Sequence, residues 1–102
     1  DMADASVYAL LNIDFDDVRG SNPEVRNCHI NIGSGKEITI RQLAELVQRT
    51  VGYNGEIRWD TTKPDGTMRK LTDVSKLHSL GWHHSVEMEE GVARLVDWYK
   101  NN

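Results

Sequence analysis

The residues best equipped for chemistry lie between Lys63 and Asp73. Lys63, Arg69 and Lys70 gather around a Pro64-Asp65-Gly66 turn, so the cations sit on a chain reversal of defined geometry. Arg offers a planar fork and Lys a compact point charge, two complementary ways of meeting phosphate oxygens. Asp65 adds an acceptor for ribose hydroxyls or for the N–H edge of a purine. Together they suit an anionic diphosphate. The competing reading is a solvated charged loop, of the kind most protein surfaces carry.

A second candidate is Gly33-Ser34-Gly35-Lys36, placed between an extended run and a helix, where backbone N–H groups approach anions in phosphate-binding loops. The motif is incomplete: a dinucleotide fingerprint needs a third small residue where Ile38 stands, and a P-loop needs Ser or Thr where Glu37 follows the lysine. A glycine turn set by backbone geometry accounts for it better. His29, His78, His83 and His84 lack metal-ligand spacing, and Cys28-His29 has no second pair. Asp14, Asp16 and Asp17 resemble a calcium loop only superficially, because Val18 takes the next ligand position and no glutamate closes it. No Gly-x-Ser-x-Gly and no Tyr-x-x-x-Lys occurs, and Cys28 has no activating neighbour. No catalytic residue is assigned, and no metal is expected.

The elements around these residues are marked by apolar spacing and capping. Asp1 to Leu11 carries Ala3, Val7, Leu10 and Leu11 at helical spacing, with Asp1 and Asp4 favoured in the first turn. Asn12 to Asn27 turns to Asp, Asn, Ser, Gly and one Pro, which is loop chemistry. Cys28 to Ile32 alternates like a strand and leaves through the glycine turn. Thr39 and Gln42 form a capping box for a helix whose stripe is Ile40, Leu43, Ala44, Val47 and Val51, with Arg41, Glu45, Gln48 and Arg49 facing water and Gly52 ending it. Glu56 to Asp60 reads as a second strand. Asp73 caps a short helix through Leu80, with Val74 and Leu77 inward and Gly81 as its stop. Ser85 caps a last helix lined by Met88, Val92, Leu95, Val96 and Tyr99. Trp59, Trp82 and Trp98 are expected inside. The expected class is α/β, with about four helices and two short parallel strands.

Composition bounds the rest. The 102 residues carry 12 Lys+Arg against 16 Asp+Glu, a net charge of −4, with no basic run, which argues against a nucleic-acid footprint. No apolar run approaches a membrane span and no charged-then-apolar leader opens the chain, so neither a span nor a signal peptide is expected. One cysteine, unable to pair internally, fits a reducing cytoplasm. Two strands are too few for a sheet that stands alone, so the chain is expected to be part of a larger protein.

Several motifs carry a family likeness. His29-Ile30-Asn31-Ile32-Gly33-Ser34-Gly35, then Thr39-Ile40-Arg41-Gln42-Leu43-Ala44, then Lys63-Pro64-Asp65-Gly66-Thr67 with Arg69-Lys70-Leu71 and Asp73-Val74, and Leu80-Gly81-Trp82 together resemble the carboxy-terminal part of the GDP-L-fucose synthases. The opening Asp1-Met2-Ala3-Asp4-Ala5 and the closing Gly91, Trp98 and Tyr99 fit the same family. These are extended short-chain dehydrogenases/reductases of Rossmann-like fold. The resemblance implies an NADP-dependent epimerase and reductase that converts GDP-4-keto-6-deoxy-D-mannose to GDP-L-fucose. It implies that residues 1–102 are a substrate-binding part, that the NADP-binding domain and the catalytic groups lie upstream, and that the parent is a cytoplasmic homodimer. By position, Asp65 matches a substrate-binding aspartate and Lys70 a basic residue near GDP, while Arg69 is inferred from its neighbour. Cys28 does not match the catalytic cysteine, and Met68 replaces a common proline.

Two readings of another class compete. A helix-turn-helix binder would use Thr39–Val51 and Asp73–Leu80, but it needs a basic face and a short connecting turn that this chain lacks. A ligand-free interaction module needs neither.

Overall fold

Polar residues, more than apolar ones, decide how the first helix sits. A computed structural model describes all 102 residues, with five helices in the order α1 (Met2–Asn12), α2 (Phe15–Arg19), α3 (Ile40–Val51), α4 (Ser75–Ser79) and α5 (Met88–Asn101). The chain divides into two compact units, one of Asp1–Lys36 with Leu71–Ser85, the other of Glu37–Lys70 with Val86–Asn102. In the first unit, Asp4, Ala5 and Tyr8 of α1 and its cap Asp1 recur at helical spacing and form the stripe that contacts the rest of the unit, Asp1 and Asp4 at its exposed margin. Ala5 is fully buried. Asp4 Oδ2 accepts from the Trp82 indole N–H at 2.8 Å. The Tyr8 hydroxyl donates to the Leu80 carbonyl at 2.7 Å, and Asp1 Oδ1 accepts from the Ser85 N–H and hydroxyl.

The small core of this unit is Ala5, Leu77 and Trp82, with Tyr8, Ile13, Ile30 and Ile32 packed around it. Trp82, 4% exposed, is inside because Asp4 supplies the acceptor its N–H requires. Gly81 ends the preceding segment at φ +100°, and a Cβ there would lie 2.6 Å from the Tyr8 hydroxyl, so both backbone and space demand glycine. The expected stripe of Ala3, Val7, Leu10 and Leu11 is therefore not the buried one: Leu10 is 82% and Leu11 75% exposed.

Lys76 fastens the loop that precedes the extended run. Its ammonium donates to the carbonyls of Val18, Asn27 and His29, the last at 3.1 Å. Asn27 meanwhile adopts φ +53°, a conformation asparagine tolerates better than most residues. The Asn12–Asn27 segment is not all loop, since α2 forms within it. Asp14 caps α2, its N–H donating to Asp17 Oδ2 at 2.8 Å.

In the second unit, the start of α3 is built as expected. Thr39 Oγ1 accepts from the Gln42 N–H at 3.0 Å, and Gln42 Oε1 accepts from the Thr39 N–H at 2.9 Å. Gly52 closes the helix in the left-handed region. α3 packs on α5, and Leu46, which the expected stripe omits, is the buried residue, whereas Ile40 is exposed. α5 starts after Glu87 rather than at Ser85, whose hydroxyl donates to Asp1 Oδ1.

The expected α/β class with two parallel strands is overturned: the chain contains no strand. A strand exists only through a neighbouring strand, and neither segment has one. Residues 28–32 alternate as read, with Ile30 and Ile32 on the core, yet Asn31 donates its side-chain amide to the Asp73 carbonyl and the His29 carbonyl serves Lys76. Residues 56–60 make local contacts: Arg58 pairs with Glu56 at 3.0 Å, and Asp60 turns back on Thr62. The two segments also belong to different units. Of the three tryptophans only Trp82 is inside, Trp59 being 41% and Trp98 62% exposed.

Lys76→Met should cost about 2 to 3 kcal/mol, the range for losing charge-assisted hydrogen bonds while leaving carbonyls unpaired. Urea unfolding measures it, and a loss below about 0.5 kcal/mol would mean the three carbonyls are equally well served by water.

Candidate functional site

Residues 61–70 form one continuous exposed stretch without helix or strand, so their arrangement depends on what holds their ends. At the leading end, Asp60 Oδ1 accepts from the Thr62 hydroxyl at 2.6 Å and from the Thr62 N–H at 3.0 Å. The side-chain bond first, and the backbone bond after it, hold the Asp60 carboxyl below its ordinary range. Next to it, the Arg41 guanidinium lies over the Trp59 ring, 4.8 Å from its centroid, within cation–π range. At the trailing end, Arg69 Nε donates to Glu37 Oε1 at 2.7 Å. That hydrogen bond, with the attraction of the carboxylate, raises the Arg69 guanidinium above its usual value.

Between these ends stand the residues read from the sequence. Lys63, Asp65 and Lys70 are exposed, and their side chains make no protein hydrogen bond or ion pair. Arg69 differs in having a carboxylate partner, Glu37, which sequence reasoning did not find. The partner is 32 residues away, and a lone glutamate before a helix cap gives no sign of it. Arg41 and Trp59 were also missed as a pair, since Arg41 reads as a solvated helix face and Trp59 as core.

The glycine turn serves packing. In the first unit, a Cβ at Gly33 would come within 3.1 Å of Val74 Cγ1, and one at Gly35, where φ is +76°, within 3.2 Å of Val74 Cγ2. Val74 is buried, so the turn lies against a filled space. Beside it is an open cleft of about 510 Å³ lined by Ser34, Gly35, Asp73, Val74 and His78 among others. The His78 ring lies against that of His83, 4.4 Å between centroids and tilted by 33°. Asp14 and Asp17 are used in capping α2, and the Cys28 thiol reaches the Arg26 carbonyl at 3.5 Å.

No family model matches the chain. Over all 102 residues it is 51% identical to GDP-L-fucose synthase 1 of Arabidopsis thaliana and 42% identical to GDP-L-fucose synthase of Escherichia coli. It spans 28% and 31% of the lengths of those proteins. Among solved structures, a GDP-6-OMe-4-keto-L-xylo-heptose reductase from C. jejuni superposes with a TM-score of 0.92 at 42% identity, over 99% of this chain and 29% of that one. A GDP-mannoheptose C4 reductase from Campylobacter jejuni, with NADP bound, superposes with a TM-score of 0.83 at 41% identity, over 98% and 29% of the two chains.

Asp73 supplies a pH test of the local structure. Its carboxylate accepts from the Ser75 N–H at 2.9 Å, and this bond lowers its pKa. A lowered acid contributes stability that is complete above the ordinary aspartate range and disappears as pH falls through its own value. Carbon-detected NMR should find the Asp73 carboxyl titrating below an unperturbed aspartate. Asp73→Asn should be less stable than wild type at neutral pH, with the difference closing in acid.

Proposed function

We propose, for a chain that belongs with the GDP-L-fucose synthases as a segment of about three tenths of their length, that residues 61–70 hold the GDP part of a GDP-sugar. The single observation carrying this reading is the pair Asp65 and Lys70: both stand exposed and unengaged on a loop anchored at each end. A diphosphate carries its charge on oxygens that a lysine ammonium meets directly, at about 2.7 to 2.9 Å. A carboxylate is the acceptor that ribose hydroxyls or a guanine N–H edge require. Lys70 takes the diphosphate and Asp65 the nucleoside, and Arg69 stands next to Lys70 with its guanidinium paired to Glu37.

The parent enzyme converts GDP-4-keto-6-deoxy-D-mannose to GDP-L-fucose by epimerisation and NADP-dependent reduction. Residues 1–102 are its substrate-binding part, and its cofactor domain and catalytic groups lie elsewhere in the longer chain. The present residues do not fit NADP. Ile38 stands where a dinucleotide loop needs a small residue, and the glycine turn that would approach a pyrophosphate is packed on Val74. No step of the reaction is assigned to this chain; its work is to bind and orient, which matters because binding remote from the reacting carbon positions that carbon. No helix is long and apolar enough to cross a membrane, and the parent is a cytoplasmic homodimer in this reading.

In the full-length enzyme, Lys70→Ala should raise KM for the GDP-sugar about tenfold or more, as the loss of a charge-assisted hydrogen bond does, with little change for NADPH. Asp65→Ala should act in the same direction. Steady-state kinetics with each substrate varied in turn decides it, and an unchanged GDP-sugar KM in Lys70→Ala would remove that residue from the site.

A further inference from the structure

We propose that Glu37 and Arg69 form a positioning clamp for the loop bearing Asp65 and Lys70, and that Arg69 holds this loop in place rather than binding the diphosphate. This rests on the reading of residues 61–70 as the GDP site. The loop has neither secondary structure nor a buried side chain of its own, so an unanchored version would lose much of its affinity to ordering. Both of its ends return to the start of α3. At one end Trp59 lies beneath Arg41, in the first turn of that helix. At the other, Arg69 reaches Glu37, two residues before the Thr39 cap. The start of α3 is itself fixed by the reciprocal Thr39 and Gln42 hydrogen bonds, so the two tethers share one rigid mooring.

The charges separate the roles of the cations. Arg69 spends its Nε–H on a carboxylate at 2.7 Å, and any phosphate drawn to that guanidinium would also meet the negative charge of Glu37. Lys63 and Lys70 have no carboxylate partner and keep their full attraction for an anion. The two roles of Arg69 then predict opposite signs for one substitution. If Arg69 were a phosphate ligand, Glu37→Gln would release it and tighten binding. If it is a clamp, Glu37→Gln loosens the loop and weakens binding.

The test is steady-state kinetics of the full-length enzyme with GDP-4-keto-6-deoxy-D-mannose, comparing wild type with Glu37→Gln, Arg69→Glu, the exchanged pair Glu37→Arg with Arg69→Glu, and Lys70→Ala. The clamp predicts that Glu37→Gln raises KM about two- to fivefold, the fold-change corresponding to an exposed ion pair, with kcat unchanged. Arg69→Glu should raise it further, and the exchanged pair should return to within about twofold of wild type, because the attraction is restored with its direction reversed. A lower or unchanged KM in Glu37→Gln, or an exchanged pair as weak as Arg69→Glu alone, overturns the clamp. Lys70→Ala separates the two levels of the argument: if it raises KM while Glu37→Gln does not, the clamp alone is wrong. If neither moves KM, the loop is not the GDP site and both readings fall.

Discussion

A polar group taken out of water needs a partner, and long-range partnerships meet that need across the first unit of this protein, the buried His78 Nε2 being an exception. The Trp82 indole occupies the core only because Asp4 waits for its N–H, the Leu80 carbonyl is answered by Tyr8, and the Lys76 ammonium satisfies three loop carbonyls at once. These bonds orient α1 with its Asp1–Tyr8 stripe toward the rest of the unit and leave Leu10 and Leu11 in solvent. With a core of only Ala5, Leu77 and Trp82, apolar burial alone supplies modest stability, and the polar partnerships determine which arrangement is adopted.

The second unit applies the same logic to an exposed loop. Residues 61–70 bury nothing, so their order is borrowed from Asp60, Trp59 and Arg69 at their margins. Exposed ion pairs and turns of this kind are individually weak. Two of them converging on one capped helix start restrict the loop more than either alone, because each shortens the free chain the other must order. The chemistry left over is the useful part: a carboxylate and two ammonium groups without protein partners, on an exposed stretch whose turn falls at Thr61-Thr62 and not at the expected Pro64-Asp65-Gly66.

What the sequence made legible follows the range of the interactions. The Thr39 and Gln42 capping box and the Gly52 stop appear where expected because they are settled within a turn or two of chain. Gly81 was likewise recognisable, although its contact with Tyr8 was not. The strands failed because pairing is not a local property: residues 28–32 alternate correctly, with Ile30 and Ile32 on the core, but no neighbour lies alongside. The inward face of α1 is not legible because its apolar residues have helical spacing too, and only the distant needs of Leu80, Trp82 and Ser85 favour the polar stripe. Asp65, Lys70 and Arg69 could be singled out by residue type, turn chemistry and family likeness, whereas the engagement of Arg69 by Glu37 spans 32 residues and leaves no trace in spacing.

The most direct measurement is a crystal structure of the full-length enzyme with GDP bound. The Lys70 ammonium should lie about 3 Å from a phosphate oxygen, the Asp65 carboxylate on the ribose or the guanine edge, and Arg69 should still be held by Glu37. GDP seated elsewhere, with residues 61–70 turned into solvent, would contradict it.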